Sequence, residues 1–387
     1  MQLEPFKLER FFAGHEFSSR YLLSTSDCQG LAMAGLVAAA DPDSRALWDA
    51  LHLGYTESDG LPELRAEIAR LYEHVDRDEV LVAAPEELIF LTMNALLRPG
   101  DHVVCTFPGY QSLYEVANAI GCEVNEWRPV EMETSWHFDP AELKRLMRLD
   151  TRLVVWNFPH NPTGALPSPE DFAQMLHIVR DAGAWLFSDE MYRLLEPAGE
   201  LPLPAAVDRY GRGLSLSGMS KSFSLAGLRI GWVATHDMHL LDSVRCLKDY
   251  TTICSSAPSE ILALMGLRQR DKILAANRER IGRNIEAADE FFKRHHARFS
   301  WVPPRAGTVC FPRLEEYFGA AVPPGAAATG GAQEFCSQVL VETGVLLLPS
   351  STYDYGDSHF RLGLGRDDFQ TGLAVLDRYL GGGTPAR

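Results

Sequence analysis

The chain has 387 residues, 46% hydrophobic and 23% charged, the make-up of a globular protein with room for one large domain and a smaller one. A net charge of -16 and a pI near 5.2 argue against nucleic acid and anionic membrane surfaces as partners. No apolar run approaches the roughly 18 residues of a membrane span. The first residues lack the apolar core of a signal peptide, and seven scattered cysteines with no C-x-x-C pair predict reduced thiols in a cytoplasmic protein.

In chain order, residues 61–74 place Leu61, Leu64, Ile68 and Leu71 at three- and four-residue spacing between charges, which predicts an amphipathic helix. Another helix is expected to begin near 86. Short apolar runs follow at 102–106, 152–156, 185–188 and 214–216, separated by helical patterns such as 168–182. Continuous apolar strands alternating with helices predict an α/β fold with a mostly parallel sheet covered on both faces. Beyond about 275 the pattern changes to longer charged helices, with Asn277 to His296 rich in arginine and glutamate. The stretch 319–331, rich in Ala, Gly and Pro, reads as a surface loop, and the tail 381–385 as disordered. These shifts divide the chain into a large domain at 51–275 and a small domain built from 1–50 and 276–387.

In open parallel sheets, ligands gather beyond the carboxyl ends of the strands. Polar clusters follow four of the predicted strands: Phe107-Pro108-Gly109-Tyr110, Asn157-Phe158-Pro159-His160-Asn161-Pro162-Thr163-Gly164, Asp189-Glu190-Met191-Tyr192, and Ser217-Gly218-Met219-Ser220-Lys221. Together they suit pyridoxal 5′-phosphate. A lysine amine condenses with its aldehyde, a buried carboxylate keeps its pyridine nitrogen protonated, and an amide and a phenol reach its phenolate oxygen. An aromatic ring stacks on its face, and hydroxyls with an arginine hold the phosphate. Taken singly, each residue has an ordinary explanation, such as Asp189 as a helix cap or Asn161-Pro162-Thr163-Gly164 as a turn. Their joint order is what points to the cofactor. Gly211-Arg212-Gly213 and Gly363-Leu364-Gly365 lack the third glycine of a dinucleotide fingerprint, so the latter pair is read as close packing beside Arg361. No histidine spacing suggests a metal site, and His160 is expected to be structural or to support the site from behind.

With these motifs in order over about 55–365, the sequence resembles the class I/II aminotransferases of fold type I, the aspartate aminotransferase superfamily. The resemblance implies that Lys221, in the S-K-x-x-x-x-x-G-x-R-x-G pattern, forms the Schiff base, and that Arg229 binds the phosphate with Ser220 or Ser217. It implies that Asp189 meets the pyridine nitrogen, that Tyr192 and Asn161 meet the phenolate oxygen, and that Tyr110 stacks on the ring. It gives Arg361 the substrate α-carboxylate, a task that suits a guanidinium. It gives Tyr55 the phosphate of a neighbouring subunit, and therefore a homodimer with shared sites. The implied reaction moves the α-amino group of an amino acid to a 2-oxo acid, with Lys221 as proton carrier.

Three segments depart from the pattern. The glycine-rich turn before the helix near 86 reads Ala83-Ala84-Pro85-Glu86-Glu87; Pro85 has no N–H, and Glu86 is expected to point away from a phosphate. The segments Ser24 to Gly30 and Leu348 to Tyr353 also differ where the family touches substrate. Asn157-Phe158-Pro159-His160-Asn161-Pro162 and Lys248-Asp249-Tyr250 resemble the branch that includes capreomycidine synthase. That branch implies the alternative of elimination and cyclisation on a hydroxylated amino acid such as a hydroxyarginine. A regulatory protein built on this fold is disfavoured, because residues 1–50 are not basic and show no helix-turn-helix pattern.

Overall fold

The computed structural model describes residues 2–197, 199–315 and 331–382. At its centre is a seven-stranded sheet made of β1 (Val80–Ala83), β2 (His102–Thr106), β3 (Glu123–Trp127), β4 (Thr151–Asn157), β5 (Trp185–Asp189), β6 (Gly213–Gly218) and β7 (Gly231–Ala234). The order across the sheet is β1-β7-β6-β5-β4-β2-β3. β7 is antiparallel to β1 and β6, and the remaining pairs are parallel. The apolar runs at 102–106, 152–156, 185–188 and 214–216 all fall inside strands.

Both faces of the sheet are buried because successive side chains point to opposite sides. Val103, Cys105, Leu153, Val155 and Phe187 pack on one face with helices α2 (Pro85–Leu96) and α3 (Ser112–Ile120). Val104, Val154, Trp156 and Leu186 pack on the other with α4 (Pro169–Asp181). Helix α4 starts where the sequence changes character. Ser168 Oγ accepts from Asp171 N at 3.0 Å, and Pro169 occupies the first turn, where its missing N–H costs nothing.

The expected helix over 61–74 is shorter, Pro62–Ala69. Asp208 Oδ1 accepts from the backbone N–H groups of Glu73 and His74 at 2.9 and 3.0 Å, which turns the chain away before the periodic pattern ends. The charged helix begins earlier than its pattern suggested, at Arg270, and runs to Arg294. The 319–331 stretch and the 381–385 tail lie mostly outside the described residues.

The two ends of the chain pair with each other. Tyr21–Leu22 runs parallel to Val345–Leu346, and Phe360–Gly363 is flanked by Val309–Cys310 and Leu348–Pro349. Helix α1 (Lys7–His15) reaches back towards the central sheet, where Gln111 Oε1 accepts from Lys7 N at 2.9 Å and Phe6 packs on Tyr110 at 4.9 Å between ring centroids. No described helix is long and apolar enough to cross a membrane.

Candidate active site

A cleft of about 340 Å³ opens at the carboxyl ends of the parallel strands, a volume suited to a small ligand. Eight of the ten predicted site residues line it: Lys221, Asp189, Tyr192, Asn161, Tyr110, Ser220, Arg229 and Arg361. Ser217 does not. It sits within β6, in register with Trp232 of β7. Tyr55 is 91% exposed on the surface. Glu86, expected to point away, instead forms part of the wall.

Asp189 ends β5 deep in the cleft. Its Oδ1 accepts from Met191 N at 3.0 Å, while Asn157 Nδ2 donates to its backbone oxygen at 3.1 Å. Burial holds its carboxyl up to about 7, with the neighbouring Glu190 acting in the same direction. A cation brought beside Asp189 would restore its charge. Asn161 is fixed from both sides: Asn157 Oδ1 accepts from its backbone N–H at 2.8 Å, and its own Oδ1 accepts from Tyr353 and Arg361. That leaves the Asn161 amide nitrogen as donor to a ligand.

Lys221 is half-buried, and its Nζ donates to Ser26 Oγ at 3.0 Å. Ser26 and Tyr192 line the same cleft. Burial lowers the Lys221 pKa, opposed by Asp27 and Glu9 and assisted by Arg361 and Arg229. A lowered ammonium pKa favours the free amine that condensation and proton transfer require. Arg229 sits at the rim with φ +56°, a conformation uncommon for a residue with a Cβ. The nearby Gly231 is required by packing: a Cβ there would lie 2.6 Å from Pro85 Cγ, so the glycine lets the start of α2 rest on the sheet.

Arg361 is buried. Its Nε donates to Ser24 O at 2.9 Å, and Nη1 donates to Tyr353 Oη at 2.6 Å and Asn161 Oδ1 at 3.2 Å. Three of its five hydrogens are thus used in fixing it, and Nη2 remains for a carboxylate. Gly363 permits this arrangement, since a Cβ there would meet Thr25 O at 1.9 Å. The close-packing reading of Gly363 and Gly365 holds, because Gly365 sits equally tight against Asp27. His160 is structural. Nε2 donates to Pro108 O at 2.8 Å and Nδ1 accepts from Thr163 Oγ1 at 2.7 Å, and burial lowers its pKa to about 3. The neutral ring ties the Asn161 turn to the Tyr110 loop.

Sequence reasoning did not single out Ser26, Tyr353 or the face of α1 that carries Leu8, Glu9 and Phe12, with Glu16 just past its end. These residues line the cleft or hold its arginine. A helical face at 8, 9, 12 and 16 was the available signal. Tyr353 lay within the departing 348–353 segment.

The aminotransferase class I and II family profile matches residues 23–372. The chain belongs to the class I and II aminotransferases. It is 30% identical over 297 residues to capreomycidine synthase of Streptomyces vinaceus, covering 76% of this chain and 72% of that protein. It is 26% identical over 363 residues to an aspartate/prephenate aminotransferase of Cereibacter sphaeroides, covering 85% and 88%. Among solved structures, a PLP-dependent aminotransferase from Streptococcus suis superposes with TM-score 0.88 at 29% identity. The PLP-dependent cyclase OrfR superposes with TM-score 0.88 at 30% identity. Each covers 98% of both chains. The fold is that of the fold type I enzymes, and pyridoxal 5′-phosphate is the cofactor. The residues present fit it: an amine for its aldehyde, a buried carboxyl lacking a cation, hydroxyls, an amide, and Arg229 at the rim.

Proposed function

We propose that this enzyme transfers the α-amino group of an amino acid to a 2-oxo acid, with Lys221 as covalent anchor of the cofactor and as proton carrier. The observation that carries this reading is the Lys221 amine, its pKa lowered, in one cleft with Asp189 and Arg361. Pyridoxal 5′-phosphate, when bound, supplies an electron sink for negative charge at the substrate Cα. Asp189 pairs with the ring nitrogen and keeps it protonated. Tyr192 and Asn161 donate towards the ring oxygen, Tyr110 covers the ring, and Arg229 with Ser220 holds the phosphate. Arg361 Nη2 binds the substrate carboxylate, which places the Cα proton near Lys221 Nζ. Ser26 orients that amine. The substrate screen that tests this reading incubates the loaded enzyme with amino acids and measures pyridoxamine phosphate and 2-oxo acid.

A second reading is cyclisation of a hydroxylated basic amino acid. Glu9 and Glu16 line the α1 side of the cleft, around Phe12, whose ring lies 5.6 Å from the Arg361 guanidinium carbon. Carboxylates lining the same cleft as the carboxylate clamp suit a cationic side chain. The similarity to capreomycidine synthase and to a cyclase supports the same outcome. A cyclic product without pyridoxamine phosphate would decide for it.

A homodimer fits the surface. Leu53, Tyr55 and Tyr250 are 86%, 91% and 87% exposed. They lie on strips tied together by Lys248, which donates to Ser58 O and Ile253 O. A second copy covering this patch would bring Tyr55 to its cleft; sedimentation tests it. The division at 51–275, with 1–50 and 276–387 apart, is retained as part of this proposal.

A further inference from the structure

Residues 24–27 follow the strand Tyr21–Leu22 into the cleft wall and belong to no helix or strand. A stretch without a hydrogen-bonded ladder needs other partners for its polar groups. Here side chains from the far end of the chain serve. Arg361 Nε donates to Ser24 O at 2.9 Å, and Thr308 Oγ1 donates to Ser26 O at 2.6 Å. Arg366 grips both neighbours of Ser26. Its Nε donates to Thr25 Oγ1 at 3.0 Å, and its Nη2 donates to the Asp27 carboxylate at 3.0 and 3.2 Å. The ion pair is mostly buried, with 17% and 19% of the two side chains exposed. Arg366 is itself fixed, since Asn284 Nδ2, from the helix Arg270–Arg294, donates to its backbone oxygen at 2.9 Å. Between the two gripped residues, the Ser26 hydroxyl meets Lys221 Nζ at 3.0 Å.

We propose that Arg366 is a positioning residue: by holding Thr25 and Asp27 it keeps the Ser26 hydroxyl on Lys221 Nζ, and so aims the amine that captures the cofactor aldehyde. This rests on the reading of Lys221 as the covalent anchor. A planar guanidinium suits the task, because its Nε and Nη2 hydrogens point in fixed directions and serve two residues at once. Thr25, Ser26 and Asp27 line the same cleft as Lys221, so a shift of this strap is felt at the amine. An arginine that only stabilised the packing of the chain ends would affect Lys221 whether or not Ser26 carried a hydroxyl. One that acts through Ser26 loses its effect when that hydroxyl is gone.

The test mixes cofactor-free protein with pyridoxal 5′-phosphate, quenches samples with borohydride over time and measures the Lys221 adduct by mass spectrometry. In that capture the Lys221 amine bonds to the aldehyde carbon, and its two hydrogens leave with the aldehyde oxygen as water. Arg366→Met alone would leave Asp27 a lone anion in the wall, so the pair is removed together, as Asp27→Asn with Arg366→Met. Ser26→Ala is expected to slow capture about tenfold, the size of one hydrogen bond. The pair variant is expected to slow it about as much, and all three substitutions together no more than about twofold beyond either. Effects that multiply to about a hundredfold, or either variant capturing as fast as the wild type, would overturn the proposal. Should the pair variant not fold, Thr25→Val, which removes only the acceptor of Arg366 Nε, enters the same comparison. Slowing of about threefold that vanishes in the Ser26→Ala background is then expected; slowing that persists there, or none at all, overturns the proposal. An adduct on a lysine other than Lys221 would overturn the anchor reading itself.

Discussion

The floor of the cleft and its α1 wall are built differently. On the floor, Asp189, Asn161 and Lys221 follow buried strands, and backbone or amide hydrogen bonds hold the first two. The wall is the nine-residue helix α1 and the residue after it, with Glu9, which accepts from Tyr110 Oη at 3.0 Å, and Glu16 among the residues that line the cleft. The floor sets the chemistry that the cofactor can perform. In the proposed function the wall meets whatever extends from the substrate Cα. Enzymes that share a floor can therefore differ in substrate and in the fate of the carbanion.

Lys221→Ala breaks this comparison most severely: turnover falls about ten-thousandfold, the upper range for loss of a proton-transferring group, and the absorbance of the covalently held cofactor disappears. Asp189→Asn leaves the floor in shape but removes the proposed partner of the ring nitrogen. Turnover falls about a thousandfold, while the cofactor-free protein gains about 2 kcal/mol in denaturant unfolding at neutral pH. The sign follows from burial. The folded state holds the Asp189 proton up to about 7 and the unfolded state releases it near pH 4. Between these values the folded state binds more protons, so stability falls as pH rises, and this slope is absent in the variant. Arg361→Ala raises KM for amino acids about a hundredfold, the effect of losing a charge-assisted pair. Glu16→Gln tests the wall and has the smallest effect: KM rises about fivefold for a substrate with a basic side chain, and stays unchanged for a neutral one.

The floor was legible because its residues follow apolar strands that announce themselves by composition, and because motifs such as Asn161-Pro162-Thr163-Gly164 keep a fixed place after them. Antiparallel β7 was hidden, since Gly231–Ala234 has only four residues and follows directly on the Lys221 motif. The early end of the 62–69 helix depended on Asp208, far along the chain, which no local pattern reveals. Ser26 and the α1 face were missed for the same reason, being brought to Lys221 by tertiary packing of the chain ends. Ser217 illustrates the opposite error: two serines three residues apart looked alike, but Ser220 lines the cleft and Ser217 stays in β6.

The central claim is that Lys221 holds pyridoxal 5′-phosphate in this cleft. Reducing the loaded enzyme with borohydride, digesting it and locating the cofactor adduct by mass spectrometry tests it most directly. The adduct is expected on the peptide containing Lys221 and on no other; an adduct on Lys248 or another lysine, or none at all, would contradict it.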